Sequence, residues 1–190
     1  MNNEYLADRK QTSADDQNPV PETDSVLDNG KNKKKKRIRV LLRIAGAILL
    51  GVLLYHAVWL GWRTWKYRPY TDGMEKTVFA TILTPRYTKK DEDGFDFSVK
   101  YPDYLQWTGN LSVGSPADEN TMFTDALIIW PLFGGGYEYG LLLYEGDAGY
   151  QIYADENGHA LNAEEDAVIA RHAENVSLLY EKAALVFSVP

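Results

Sequence analysis

The sequence predicts an α+β chain: a single transmembrane helix, then a small antiparallel β-sheet domain of about six strands with a C-terminal helix packed on it. Three observations predict it. Residues 44–62 read IAGAILLGVLLYHAVWLGW, which holds no formal charge unless His56 is protonated. Between residues 71 and 190, several short segments alternate apolar and polar side chains, with Gly and Asp-Gly punctuation between them. Beyond Asn162 the apolar repeat lengthens to steps of three and four residues.

The charges fall in blocks. Residues 1–30 carry seven acidic side chains against Arg9 and Lys10. Residues 31–43 carry eight basic groups, among them Lys34, Lys35, Lys36, Arg37, Arg39 and Arg43, and no acid. Residues 1–37 have almost no large apolar groups to offset chain entropy, so they are expected to form a disordered cytoplasmic tail ending in a basic juxtamembrane collar.

The apolar run of 19 residues spans about 28 Å as a helix, close to the thickness of a hydrocarbon core. Residues 38–66 are therefore expected to be an uncleaved signal-anchor helix, since no small-x-small cleavage site follows the run. The excess of positive charge before it orients the N-terminus to the cytoplasm and the C-terminal domain outside the plasma membrane. Membrane lipids are then partners: the collar meets anionic headgroups, and Trp59, Trp62 and Trp65 form an aromatic belt at the outer interface. His56 lies close enough to that end for its ring to reach the headgroups. Ala47 and Gly51, beside Gly46, give a small-x-x-x-small spacing that admits a second helix and so a homodimer.

In the domain, residues 95–101 (FDFSVKY) put apolar groups on one face and polar groups on the other. Residues 76–84, 107–113, 126–130, 137–144 and 149–154 are further expected strands, rich in branched and aromatic side chains. Short connections imply antiparallel pairing, and Gly134-Gly135-Gly136 reads as a hairpin needing positive φ. Asn162 caps the last element, with Glu164, Glu165 and Asp166 in its first turn. A single helix follows, its stripe formed by Ile169, Ala173, Val176, Tyr180, Ala183 and Phe187, although residues 185–189 also suit a strand. Residues 137–144 carry apolar groups on both faces, so that strand is expected to be central and covered, by the C-terminal helix on one face and by a partner, ligand or loop on the other. Residues beyond about Tyr70 are expected to fold alone.

Chemical motifs are sparse. With no cysteine there is no disulfide, thiol nucleophile or Cys-ligated zinc, and the composition leans toward a bacterial envelope. From Tyr70 onward, seven cations face twenty carboxylates, leaving −13, which disfavours nucleic acid. His159 and His172 belong to no metal-ligand spacing, and no G-x-S-x-G pattern occurs. Aligned as a calcium loop, the turn Asp91-Glu92-Asp93-Gly94 would place Lys89 and Lys100 at ligand positions, so neither metal nor cofactor is expected. The aromatic excess is the strongest functional signal. Trp107, Trp130, Tyr137, Tyr139, Tyr144 and Tyr153 exceed what one small core needs and suit a surface for a ligand or partner. The expectation is a non-enzymatic, membrane-anchored extracytoplasmic module that engages a protein or envelope component. A ligand-sensing ectodomain signalling through the span is the alternative, and a small envelope hydrolase is a weaker third.

Overall fold

The computed structural model describes residues 24–78, 80–117 and 123–190, with side chains from Lys33 onward. Two compact units divide it, Met1–Val52 and Leu53–Pro190. Helix α1 (Asp24–Tyr67) begins in the first and ends in the second.

Within the first unit, residues 24–37 are helical, contrary to the disorder expected of the whole tail. Lys and Arg are good helix formers, and a helix already nucleated by the apolar run extends through them without a second nucleation cost. The remaining expectation of disorder, over residues 1–23, lies outside the described residues. Among the described residues, α1 is the one helix long and apolar enough to cross a membrane. Ile44, Ile48, Leu49 and Leu50 are all exposed along it, and open space surrounds the Cβ positions of Gly46 and Gly51.

The second unit contains the end of α1, a 3-10 turn (Arg68–Thr71) and seven strands: β1 (Glu75–Lys76), β2 (Arg86–Lys90), β3 (Asp96–Lys100), β4 (Asn110–Gly114), β5 (Ala126–Pro131), β6 (Tyr137–Glu145) and β7 (Ala148–Ala154). They form one open sheet in sequence order, every neighbouring pair antiparallel. Alternation sorts the side chains. Phe97, Val99, Leu111, Val113, Leu127, Ile129, Leu141, Leu143 and Ile152 turn to one face and are buried there. Helices α2 (Ala163–Arg171) and α3 (Ala173–Phe187) pack on that face through Val168, Ile169, Val176, Leu179, Ala183 and Phe187.

Four expectations require correction. The strand expected over 76–84 is a loop after two residues of pairing, and its branched side chains Val78 and Ile82 are left exposed. Val78 is 93 % exposed, and the Thr81 hydroxyl accepts the N–H groups of Leu83 and Thr84 to form a turn. Strand β4 starts at Asn110, leaving Trp107 in the preceding loop. The final helix is two helices joined at His172, whose φ of −106° and ψ of 14° tighten the chain. Leu179 takes the place in the stripe expected of Ala173, which is exposed. Asn162 does cap α2, its side chain accepting the Glu165 N–H at 2.9 Å.

The fourth correction concerns where the domain begins. Tyr67 is fully buried in the sheet core, its hydroxyl accepting the Gly109 N–H at 2.8 Å and its ring tilted on Tyr101. A fragment starting near Tyr70 would lack this plug. Gly109 has no room for a side chain, since a Cβ there would lie 2.1 Å from the Lys100 carbonyl oxygen. Tyr67→Ala is therefore expected to cost about 3–5 kcal/mol by cavity formation. Tyr67→Phe, which removes only the acceptor, is expected to cost about 1–2 kcal/mol. Urea unfolding of the full chain in detergent, followed by near-ultraviolet dichroism, checks both values and their order.

Candidate functional site

The aromatic residues that the sequence groups together separate into three places. The first is the end of α1. Trp59 is fully buried, its indole N–H donating to the Gln106 carbonyl at 2.8 Å and its ring edge-on to Tyr104. Trp62 packs on Trp107 and Phe133, with centroids 5.0 and 5.2 Å away. Loops of the domain cover Trp59 fully and Trp62 in part. Trp65 alone of the three is open, at 74 % exposure. His56 meets the Tyr104 hydroxyl, and Tyr55 stands edge-on to Trp107.

Arg63, the residue that follows the apolar run, is buried at this juncture. Its guanidinium donates to the carbonyls of Leu83 and Ile82 at 2.9 and 2.6 Å and lies 4.5 Å from the Trp59 ring centroid. Two carbonyls and an aromatic face replace water around the planar cation. The basic collar residues Lys34, Lys35, Lys36, Arg37, Arg39 and Arg43 are all exposed on α1 in the other unit.

The second place is the covered face of the sheet. Tyr139 is buried there, donating to the Pro190 carbonyl at 3.2 Å, and Tyr137 is half-buried with its hydroxyl 3.2 Å from that of Tyr70. These two tyrosines are core residues and not part of a free surface. The period of β6 placed them correctly beside Leu141 and Leu143; which face the helices cover was not legible.

The opposite face is the third place. Strand β6 is flanked by β5 and β7, and among the described residues its second face carries no helix. Register aligns Ile128 with Gly140, Gly140 with Tyr153, and Leu142 with both Ala126 and Gln151. Trp130 lies flat across Gly140, where an added Cβ would meet the indole at 2.8 Å, and its ring is 6.1 Å from that of Tyr153. Ile128, Trp130, Leu142, Gln151 and Tyr153 line a shallow groove of about 140 Å³. At the end of this strip Tyr144 stacks on Phe123 at 5.0 Å. Toward β1 the same face turns polar, with Thr88, Lys90, Asp96, Ser98 and Ser112 along a wider groove of about 720 Å³. Trp130, Tyr144 and Tyr153 thus remain together as an accessible surface.

A polar cluster that no sequence pattern signals lies at the joint between α2 and α3. Asp125 is about one-tenth exposed. It accepts the Tyr144 N–H at 2.8 Å and the Asn175 amide at 2.8 Å, and its second oxygen stands 2.9 Å from His172 Nδ1. His172 Nε2 is 3.6 Å from Glu145, which also accepts from Arg171 at 2.6 Å. Every polar group here is engaged in fastening the helices to β5 and β6. Similarly, Lys182 reaches Asp91 at 2.7 Å and Asp93 at 2.5 Å, so the acidic turn weighed above for calcium carries an internal cation. In the other acidic turn, Asp155 accepts the N–H groups of Asn157 and His159.

No family model, curated protein or solved structure matches this chain.

Asp125→Ala leaves a buried N–H and an imidazole without their acceptor, and is expected to cost about 1–3 kcal/mol in chemical denaturation. A pH profile of melting temperature tests the remaining electrostatics. The Arg171 hydrogen bond holds the Glu145 carboxyl below the ordinary range, and the His159 N–H does the same for Asp155. Depressed carboxylates contribute stability above their unfolded pKa and lose it as pH falls through the folded value. Burial pushes the Tyr139 and Tyr180 phenols upward, so their contribution is full below the unfolded value and lost as pH rises through the folded one. The melting temperature is therefore expected to fall below about pH 4 and above about pH 10. Glu145→Gln should flatten only the acid limb.

Proposed function

We propose that this chain is a membrane-anchored, non-enzymatic interaction module. Helix α1 crosses the plasma membrane with its N-terminus in the cytoplasm, and the sheet domain stands outside. There it engages a protein or cell-envelope component through the uncovered face of the sheet. The observation that carries this reading is the strip of Ile128, Trp130, Leu142, Tyr144 and Tyr153, apolar and aromatic on a face without a helix. A rigid aromatic pair on a flat strand platform loses little side-chain entropy when it is covered, which suits it to an interface. The collar of Lys and Arg supports the orientation through the positive-inside rule. The non-enzymatic reading rests on the polar cluster: His172, Asp125 and Glu145 are occupied in holding helices to the sheet.

One observation favours a sensing role as a second reading. Helix α1 is unbroken from Asp24 to Tyr67, so the residues in the domain core and those of the cytoplasmic collar belong to one hydrogen-bonded element. A ligand that shifted the packing around Tyr67 would act on that element directly.

Face-specific photocrosslinking in native membranes tests the main reading. A photoreactive residue in place of Tyr153 is expected to form a discrete adduct, whereas one at Leu178, exposed on α3, is not. Trp130→Ala should lower the Tyr153 adduct by about tenfold or more, as for truncation of a central aromatic anchor. Equal labelling at Leu178, or no loss with Trp130→Ala, would remove the sheet face as the contact.

A further inference from the structure

A meander places alternate connections at opposite ends of its sheet, and in this domain the two ends differ in kind. The β2–β3 connection contains Asp91, Glu92 and Asp93, and the β6–β7 connection contains Asp147. At the other end, the stretches 77–84 (TVFATILT), 104–109 (YLQWTG) and 131–136 (PLFGGG) hold no charged residue at all. The nearest carboxylate there, Asp103, is paired with Lys100 at 2.7 Å. The turn after β7 carries Asp155 and Glu156, but it folds back onto α3, where Tyr180 donates to the Asp155 carbonyl at 2.8 Å. In a domain carrying −13, three loops whose carboxylate is paired with Lys100 are a separation by sign and polarity, not an average surface.

Those loops also expose apolar side chains: Ile82 and Leu83 on the first, Tyr104, Leu105 and Trp107 on the second, and Phe133, 64 % exposed, on the third. Leu105 is held at a φ of 62°, in a region that branched-chain and other L residues rarely occupy. All three loops grip the last turns of α1. Arg63 binds the first, His56 and Trp59 meet the second, and Trp62 packs on the third. Residues 55–62 close the apolar run and cover about 10 Å along the helix axis. A bilayer that covers the run therefore reaches the loops held beside its end.

We infer that this end of the domain is a lipid-seated foot, in which the three apolar loops rest in the outer acyl–headgroup boundary of the membrane that α1 crosses. The inference rests on the membrane reading proposed above. Leu, Phe, Trp and Tyr on loops whose carboxylate, Asp103, is paired with Lys100 are the residues that partition there, at a depth of about 5–10 Å. The foot commits the occupant to lipid, because the loops pack against residues 55–62, which close the apolar run.

The chain has no native cysteine, so single-cysteine variants report cleanly. The full-length protein is reconstituted in phosphatidylcholine–phosphatidylglycerol vesicles, and Leu105→Cys, Phe133→Cys, Asp93→Cys, Asp147→Cys and Leu49→Cys each carry a fluorophore. Quenching is read from lipids labelled near the headgroup and from a water-soluble quencher. Leu49, in the span, separates the two readings. The expected result is lipid-side quenching at Leu49, Leu105 and Phe133 that is at least about threefold that at Asp93 and Asp147. Water-side quenching should show the reverse order. Lipid-side quenching at Leu49 with free aqueous access at Leu105 and Phe133 overturns the foot and leaves the anchor standing. Aqueous access at Leu49 as well overturns both. Protection of Leu105 from both quenchers means a protein surface covers it, such as a second copy, and also overturns the foot.

Discussion

The insertion of Tyr67 into the sheet is the contact on which the rest of the architecture depends. Its ring fills the space beside Tyr101, and its hydroxyl takes the Gly109 N–H at 2.8 Å. That hydrogen bond sits at the entry to β4, where Gly109 is the one residue that fits against the Lys100 carbonyl. To deliver Tyr67 there, α1 must continue past the apolar run and bring Trp59, Trp62 and Arg63 against the loops in passing. The domain therefore starts on the helix, and the interval between the apolar run and the first strand is part of the core.

A seven-stranded open sheet has two faces, and among the described residues α2 and α3 cover one of them. Helix α3 carries four of the buried side chains that close the inner face, Val176, Leu179, Ala183 and Phe187. No other described helix packs on the outer one. Two solutions to that shortage coexist. Toward β1 the outer face is hydroxyl-bearing and charged, as in the Ser98–Ser112 pair at 2.8 Å. Toward β7 it stays apolar, with Trp130 lying flat on Gly140 so that one side chain shields a large area. Antiparallel sheets commonly keep one wet face; the aromatic half departs from that pattern and is the part that requires an explanation beyond folding.

Most of the sheet was legible because alternation is a local property. Residues 95–101, 126–130, 137–144 and 149–154 fall on β3, β5, β6 and β7, and the glycines at 135 and 136 take the positive φ values of 100° and 83° that the hairpin demands. Strand β2, with the sequence RYTKK, was not legible, since its only apolar group is Tyr87 and its place comes from pairing with β3. The converse failure, over 76–84, has the same root: branched residues favour a strand where a neighbouring surface receives them, and Val78 and Ile82 stay exposed. The candidate site divides similarly. Trp130, Tyr144 and Tyr153 could be grouped by period, whereas Tyr137 and Tyr139 became core because of a helix more than thirty residues later in sequence. The Asp125–His172–Glu145 cluster left no trace in the sequence, because its members are drawn from a strand entry, a strand end and a helix joint that only the fold brings together.

The order of the elements also bears on how the chain is made. Each strand pairs with its predecessor, so the sheet can assemble stepwise as residues become available, with little loop-closure entropy to overcome. The helix that closes the inner face follows all seven strands in the chain. Until α3 has been made, the valines, leucines and isoleucines of that face have no lid. The nascent domain must therefore dwell as an uncapped sheet, with its apolar side open to whatever surrounds the growing chain, and a premature stop anywhere before the last helix leaves that state permanent.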